Sequence, residues 1–188
     1  PAMDGFAPPS EWPFRFNWTF PVISSRHNPQ VLLTAGNVVF RSIDEGTSWD
    51  PISPDLTRDD PDRTIASGGP ITREGPSDVY CTITALAESL HRPREIWAGS
   101  DDGRVHRTRE GGDIWKEITP CDLPEWSSVL CLEPSPHDPD HWYMAATRYR
   151  LDDTRPMLYC TTDNGDSWEC ITGDLPAHEF TRVIRCDP

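Results

Sequence analysis

From residue 16 onward the apolar positions fall into short runs, alternating or continuous, each bounded by Gly, Asn, Asp, Ser or Pro. Runs of this length predict β-strands, because helices need longer stretches with a 3.6-residue period. A unit of four strands is expected at 17–24, 31–35, 38–42 and 49–53. The same order returns at 81–88, 95–99, 104–108 and 115–119, and again at 128–133, 141–147, 157–161 and 168–172. A further strand is expected at 181–186. The lead-in, 1–15, is rich in Pro, Ala and Gly and predicts irregular structure. The expected division is therefore lead-in 1–15, unit one 16–54, a long link 55–80, unit two 81–120, unit three 121–174, and the start of a fourth at 175–188.

Two repeated phrases support this phasing. The first is an acidic turn before the last strand of each unit: Ser42, Asp44, Gly46 and Trp49, then Thr108, Glu110, Gly112 and Trp115, then Thr161, Asp163, Gly165 and Trp168. Each position has a mechanical role. The carboxylate folds back onto turn N–H groups, the glycine supplies a positive φ, and the indole opens the returning strand with a large apolar ring. The second phrase is Ser-x-His-x-Pro, at Ser25, Ser89 and Ser135, with His27, His91 and His137. Self-similar four-stranded units of this length predict an all-β, partial β-propeller of three blades and the first strand of a fourth. Three blades and one strand cannot close a ring, so the remaining blades are expected from a parent protein or from other subunits.

Composition narrows the partners. The 188 residues carry a formal net charge of −14, and Lys116 is the one lysine among 17 basic residues. Such a field repels phosphate backbones, so nucleic acid is not an expected partner. No window is apolar enough for membrane insertion, and the first residues lack the pattern of a signal peptide. The six cysteines contain no Cys-x-x-Cys pair, which removes the usual zinc and redox motifs. Cys160 and Cys170 flank the third acidic turn, where a hairpin puts them on neighbouring strands. A cross-strand disulfide and two unbridged apolar thiols are both compatible with that placement.

The acidic turns are similar to the Asp-box, or bacterial neuraminidase repeat. Phrases such as NVVFRSIDEGTSWDPISPDLTRDDP, SGGPIT, WAGSDDGRVH and FTRVIR resemble sortilin-like, glycosyl-hydrolase-like propeller proteins. The resemblance runs from Arg15 to Pro188. It implies a secreted or periplasmic protein and a glycan or peptide ligand. A glycoside hydrolase or a protein-interaction scaffold is the alternative.

Alternation of strand direction puts the acidic turns and the Ser-x-His-x-Pro turns on one face. The long connections fall on the other, and long loops in an economical repeat usually carry function. There, Asp101 and Asp102 end a strand where xyloglucanase-like relatives place a catalytic aspartate, although Gly103 next to them also suits a plain turn. Arg58, Arg73, Trp126, Arg148, Tyr149, Arg150 and Arg155 are the candidate ligand contacts, since arginine with aromatic rings suits carboxylates and sugars. Asp153 lies among the last of these, so a self-neutralising loop is the competing reading. The acidic-turn residues Asp44, Gly46, Trp49, Glu110, Gly112, Trp115, Asp163, Gly165 and Trp168 are assigned structural roles, the indoles between blades. No cofactor and no metal site is expected, because histidines of equivalent turns on neighbouring blades lie too far apart to share one ion.

Overall fold

The computed structural model describes residues 13–64 and 80–187. Twelve strands form three antiparallel sheets of four, each built in sequence order. The first holds β1 (Val22–Ser24), β2 (Leu32–Ala35), β3 (Val39–Ser42) and β4 (Asp50–Pro51). The second holds β5 (Ile83–Glu88), β6 (Ile96–Ser100), β7 (Val105–Thr108) and β8 (Lys116–Glu117). The third holds β9 (Ser128–Pro134), β10 (Trp142–Arg148), β11 (Asp153–Thr161) and β12 (Glu169–Cys170). A short helix, α1 (Pro61–Thr64), lies in the link after the first sheet. Among the described residues no helix is long and apolar enough to cross a membrane.

The core lies between the sheets, because each has an apolar face towards its neighbour. Leu33, Ala35 and Val39 of the first pack on Ile83, Leu86, Ile96 and Ala98 of the second. Trp97, Val105 and Ile118 of the second pack on Val129, Trp142, Met144 and Tyr159 of the third. The rings of Trp97 and Trp142 stack with centroids 4.3 Å apart. Gly165, at φ +85°, shows how closely the sheets approach: a Cβ there would lie 2.7 Å from Ile118 Cδ1 and 2.9 Å from Trp97.

The acidic turns work as their residue types dictate, with one exception. Asp44 Oδ1 accepts the Ser48 amide at 2.8 Å and Asp163 Oδ1 accepts the Ser167 amide at 2.8 Å. The Ser48 and Ser167 hydroxyls donate to the second oxygen of each carboxylate. Those bonds hold both carboxyls down at about 2. Glu110 instead turns back to the Arg109 amide, at 3.1 Å, because its extra methylene overshoots the turn. Thr108 Oγ1 caps that turn alone, accepting the Gly112 amide at 3.0 Å.

Two indoles stitch neighbouring sheets. Trp115 Nε1 donates to the Ile52 carbonyl at 2.8 Å, and Trp168 Nε1 donates to the Ile118 carbonyl at 2.7 Å. Trp49 departs from its expected inter-blade role. With no described sheet before the first, it bonds its own turn at Gly46 O, 3.1 Å away, and is 37% exposed. The histidines form a second row of stitches. His27, His91 and His137 reach the carbonyls of Ser89, Ser135 and Asp187, at 2.8, 3.1 and 3.0 Å. Each ring thus points at the next unit's turn. Among the described residues no group of His, Cys, Asp or Glu could hold a metal ion.

Two local expectations need correction, and of the two readings left open for Cys160 and Cys170 the unbridged one holds. Residues 17–20 form a turn, closed by the Phe20 amide on the Asn17 carbonyl at 3.2 Å, so β1 starts later than the pattern predicts. Residues 181–187 form no strand, since no described strand pairs with them; they are held by Thr181 Oγ1 on the Ala146 carbonyl, 2.9 Å, and by Arg185 on Glu133, 3.2 Å. Cys160 and Cys170 are free thiols. Cys160 faces Glu169 and Cys170 faces Tyr159, a one-residue offset that sends the two sulfurs to opposite faces of the sheet.

Candidate functional site

The β2–β3, β6–β7 and β10–β11 turns share one end of the molecule with the links between sheets. Four of the seven non-glycine residues with positive φ lie in these connections: Asp59 (46°), Cys81 (60°), Trp126 (63°) and Asp152 (58°). Each such residue costs on the order of 1–2 kcal/mol.

Across it runs an alternation of guanidinium groups and aromatic rings. Arg63, on α1, sits 4.9 Å from the Trp126 ring centroid, and Arg58 sits 5.9 Å from it. Trp126 meets Tyr80 edge to face at 6.3 Å. Arg150 lies 6.0 Å from Tyr80 and 6.0 Å from Tyr149. Tyr149 stacks on Phe180 at 5.0 Å, and Arg182 lies 5.5 Å from each of those rings. The Arg150 bond to its hydroxyl pulls the Tyr149 phenol below its ordinary value. Arg63, Arg150 and Arg182 are exposed. The Arg63 guanidinium makes no hydrogen bond or ion pair with any described residue, and Arg182, which also bonds the Tyr149 hydroxyl, makes no ion pair with one, so both keep donors for a ligand.

Beneath the ladder lie the two strand-end aspartates, 1% and 0% exposed. Asp101 Oδ1 accepts the Thr82 amide at 2.9 Å and Oδ2 accepts the Thr82 hydroxyl at 3.0 Å. Asp102 Oδ2 accepts the Arg58 amide at 2.7 Å, Oδ1 accepts the Ser100 hydroxyl, and its carbonyl accepts Arg58 Nε at 2.9 Å. Burial pushes Asp101 up to about 7, outweighing the Thr82 bonds, with the charge of Asp102 adding to it. Burial also raises Asp102. Every oxygen of the two carboxylates accepts a bond from the protein and neither side chain reaches solvent, so the pair positions Arg58 and the segment carrying Tyr80. Burial and the nearby carboxylates push the adjacent Cys81 thiol up to about 12, which leaves it inert as a nucleophile.

The structure brings together Arg58, Trp126, Tyr149 and Arg150 of the expected ligand contacts. Arg148 and Arg155 are drawn away by Asp153, at 3.4 and 2.7 Å, which holds that carboxyl at about 2 chiefly through Arg155. Arg73 lies outside the described residues, as do Ser67, Gly68, Gly69 and Thr72. Sequence reasoning missed Arg63, Tyr80 and Phe180, which sit in links without periodicity, and Arg182, which it placed in an expected strand. It also missed Arg15. This residue of the expected lead-in is buried and ties Asp55 (2.6 Å), Asp59 (2.8 Å) and the Cys81 carbonyl (3.3 Å) into one floor. The arginine following an aromatic residue in an otherwise irregular stretch was the available signal.

A separate groove of ≈ 650 Å³ runs along β1, β5 and β9, the innermost strand of each sheet. No ladder residue lines it. Glu88 in it accepts Ser25 Oγ at 3.0 Å and the Arg26 amide at 2.6 Å, and Glu133 pairs with Arg185 at 3.2 Å.

No family model matches the chain, and no curated protein does. Solved structures do match. YCF48 bound to D1 peptide aligns with TM-score 0.51 and 16% identity over 83% of this chain and 42% of that one. YCF48 from Cyanidioschyzon merolae aligns with TM-score 0.51 and 18% identity over 86% of this chain and 41% of that one. A GH74 enzyme from Niastella koreensis aligns with TM-score 0.46 and 12% identity over 79% of this chain and 17% of that one. The chain thus spans less than half the length of these structures. At such identities the likeness concerns architecture alone, and that to the two YCF48 structures, with the three successive four-stranded sheets, gives this chain a propeller-type fold, in part.

Proposed function

We propose that the loop-rich face binds a peptide carrying carboxylates beside aromatic or apolar side chains. The observation that carries this reading is the alternation of arginine and aromatic rings from Arg63 to Arg182, on a chain whose net charge is −14. Guanidinium groups held against ring faces are presented flat and partly desolvated, the state in which they bind carboxylates best. Rings between them offer apolar contact at little conformational cost. The D1 peptide held by YCF48, a protein of like fold, supports the choice of a peptide. Burial of Asp101 and Asp102 weighs against a glycoside hydrolase that uses them as acid and base, because such groups must touch the glycosidic oxygen or a water. We read the acidic turns as the Asp-box type, and the chain as part of a larger propeller whose remaining blades carry their own share of this face.

The test is a fluorescence-anisotropy screen of acidic, neutral and basic peptide libraries, repeated on Trp126→Ala and Arg182→Gln. Acidic peptides are expected to bind, and each substitution to weaken binding about tenfold or more. Raised salt should weaken it too. Unchanged affinity in both variants would remove the ladder as the binding surface. Retention of a polysaccharide, lost in the same variants, would turn the reading to carbohydrate.

A further inference from the structure

The opposite face holds a second polar site, between the second and third sheets. A cavity of ≈ 240 Å³ is lined there by Arg92, Glu95 and Arg109. Glu95 is 1% exposed, yet only one of its oxygens is hydrogen-bonded: Oε1 takes the Trp97 indole at 3.3 Å, and Oε2 has no hydrogen-bond partner. The nearest cation to Oε2 is Arg92 at 3.5 Å, and Arg92 is pinned elsewhere, on Asp140 at 2.8 Å and on the Pro139 carbonyl at 3.3 Å. Arg109 stands on the other side of the balance. Its guanidinium makes no hydrogen bond or ion pair with any described residue. One small cavity therefore presents a buried carboxylate oxygen held only by a long 3.5 Å contact to Arg92 and a guanidinium with no acceptor among the described residues, and the two do not satisfy each other.

The surrounding charge is strained in the same sense. Arg107 is buried, with its guanidinium on the Asn164 carbonyl, and burial and the charges of Arg109 and Arg92 lower its pKa. Asn164, 1% exposed, has neither amide atom hydrogen-bonded. Unmet buried polar atoms cost free energy, so the unpaired Glu95 oxygen lining this cavity calls for an explanation.

We propose that this cavity binds a small zwitterion, a free α-amino acid, with its carboxylate on Arg109 and its ammonium on Glu95 Oε2. An anion alone would meet the buried carboxylate of Glu95, and a cation alone would meet the two guanidinium groups of Arg92 and Arg109. A molecule with both charges a few bonds apart completes both. The volume admits a ligand of a few heavy atoms and excludes a folded peptide. The site is independent of the peptide-binding reading, since none of these residues belongs to the ladder.

Isothermal titration of the whole chain with glycine and L-alanine tests it, with acetate and methylammonium as single-charge controls. Both amino acids are expected to bind, and both controls to bind at least about tenfold more weakly. Arg109→Gln and Glu95→Gln should each weaken amino-acid binding about tenfold or more. Arg109 is exposed, so its variant is expected to fold even if the buried Glu95 substitution does not. Acetate binding as tightly as glycine, or glycine binding unchanged in Arg109→Gln, would overturn the assignment, as would the absence of heat with either amino acid.

Discussion

Replacing Asp101 by Asn is expected to make the chain more stable at mildly alkaline pH, although it removes a buried residue with two hydrogen bonds. Asp101 has an ordinary carboxyl value of 3.8 when unfolded and about 7 when folded, raised first by burial. Between those values the folded chain keeps a proton that the unfolded chain releases, so rising pH favours unfolding. The stability is complete below the unfolded value and is lost as pH climbs through the folded one. The gap between 3.8 and about 7 corresponds to about 4 kcal/mol, an upper bound. Asparagine keeps the geometry: its carbonyl can accept the Thr82 amide and its NH₂ can donate to the Thr82 hydroxyl, the bonds now at 2.9 and 3.0 Å. Urea unfolding of both proteins across this pH range measures the effect. At about pH 8 the variant should gain about 2–4 kcal/mol, and near pH 4 the two should converge. Asp102, also raised by burial, leaves the variant some slope of the same sign. A variant less stable than the parent at every pH, with an unchanged slope, would refute this account.

Gly165→Ala should destabilise by about 3 kcal/mol in thermal or urea unfolding, because an alanine there meets both the positive-φ penalty and the Ile118 side chain. Trp168→Phe, which leaves the Ile118 carbonyl without its 2.7 Å donor, should cost about 1–2 kcal/mol more than Trp49→Phe, whose parent indole bonds only its own turn. Asp163→Asn should remove part of the acid sensitivity. That carboxyl is held at about 2, so its contribution is present above the ordinary 3.8 and is lost as pH falls towards 2, and the variant's unfolding midpoint should change less across that window. Thiol titration in denaturant should count six free cysteines, and peptide mapping without reductant should find no bond between Cys160 and Cys170.

Strand positions were legible because period-two patterning and turn chemistry agree in every unit. The acidic turn even announces which strands follow it. What escaped was set by neighbours rather than by local preference. Glu110 looks interchangeable with Asp44 until one methylene takes its carboxylate to a different amide. Asp101 and Asp102 read as exposed turn residues, since nothing local says that Thr82 and Arg58 will close over them. The ligand surface was half visible: arginines and aromatics marked the region, but whether Asp153 or a ring claims a given arginine depends on strand register. That register gave Arg155 to Asp153 and left Arg150 between two tyrosines.

The indole stitches also give the assembly a direction. Each seam runs from a tryptophan in one unit to an isoleucine carbonyl in the unit before it, so every unit has a donating flank and an accepting flank. Ile171 repeats the setting of Ile52 and Ile118, its amide bonded at 2.8 Å to the strand before it, like theirs. A further unit docking on the third would find the same acceptor ready, while Trp49 offers its donor on the opposite flank. Head-to-tail seams of this kind are nearest-neighbour devices. The seam polarity therefore lets one unit follow another in a single direction only.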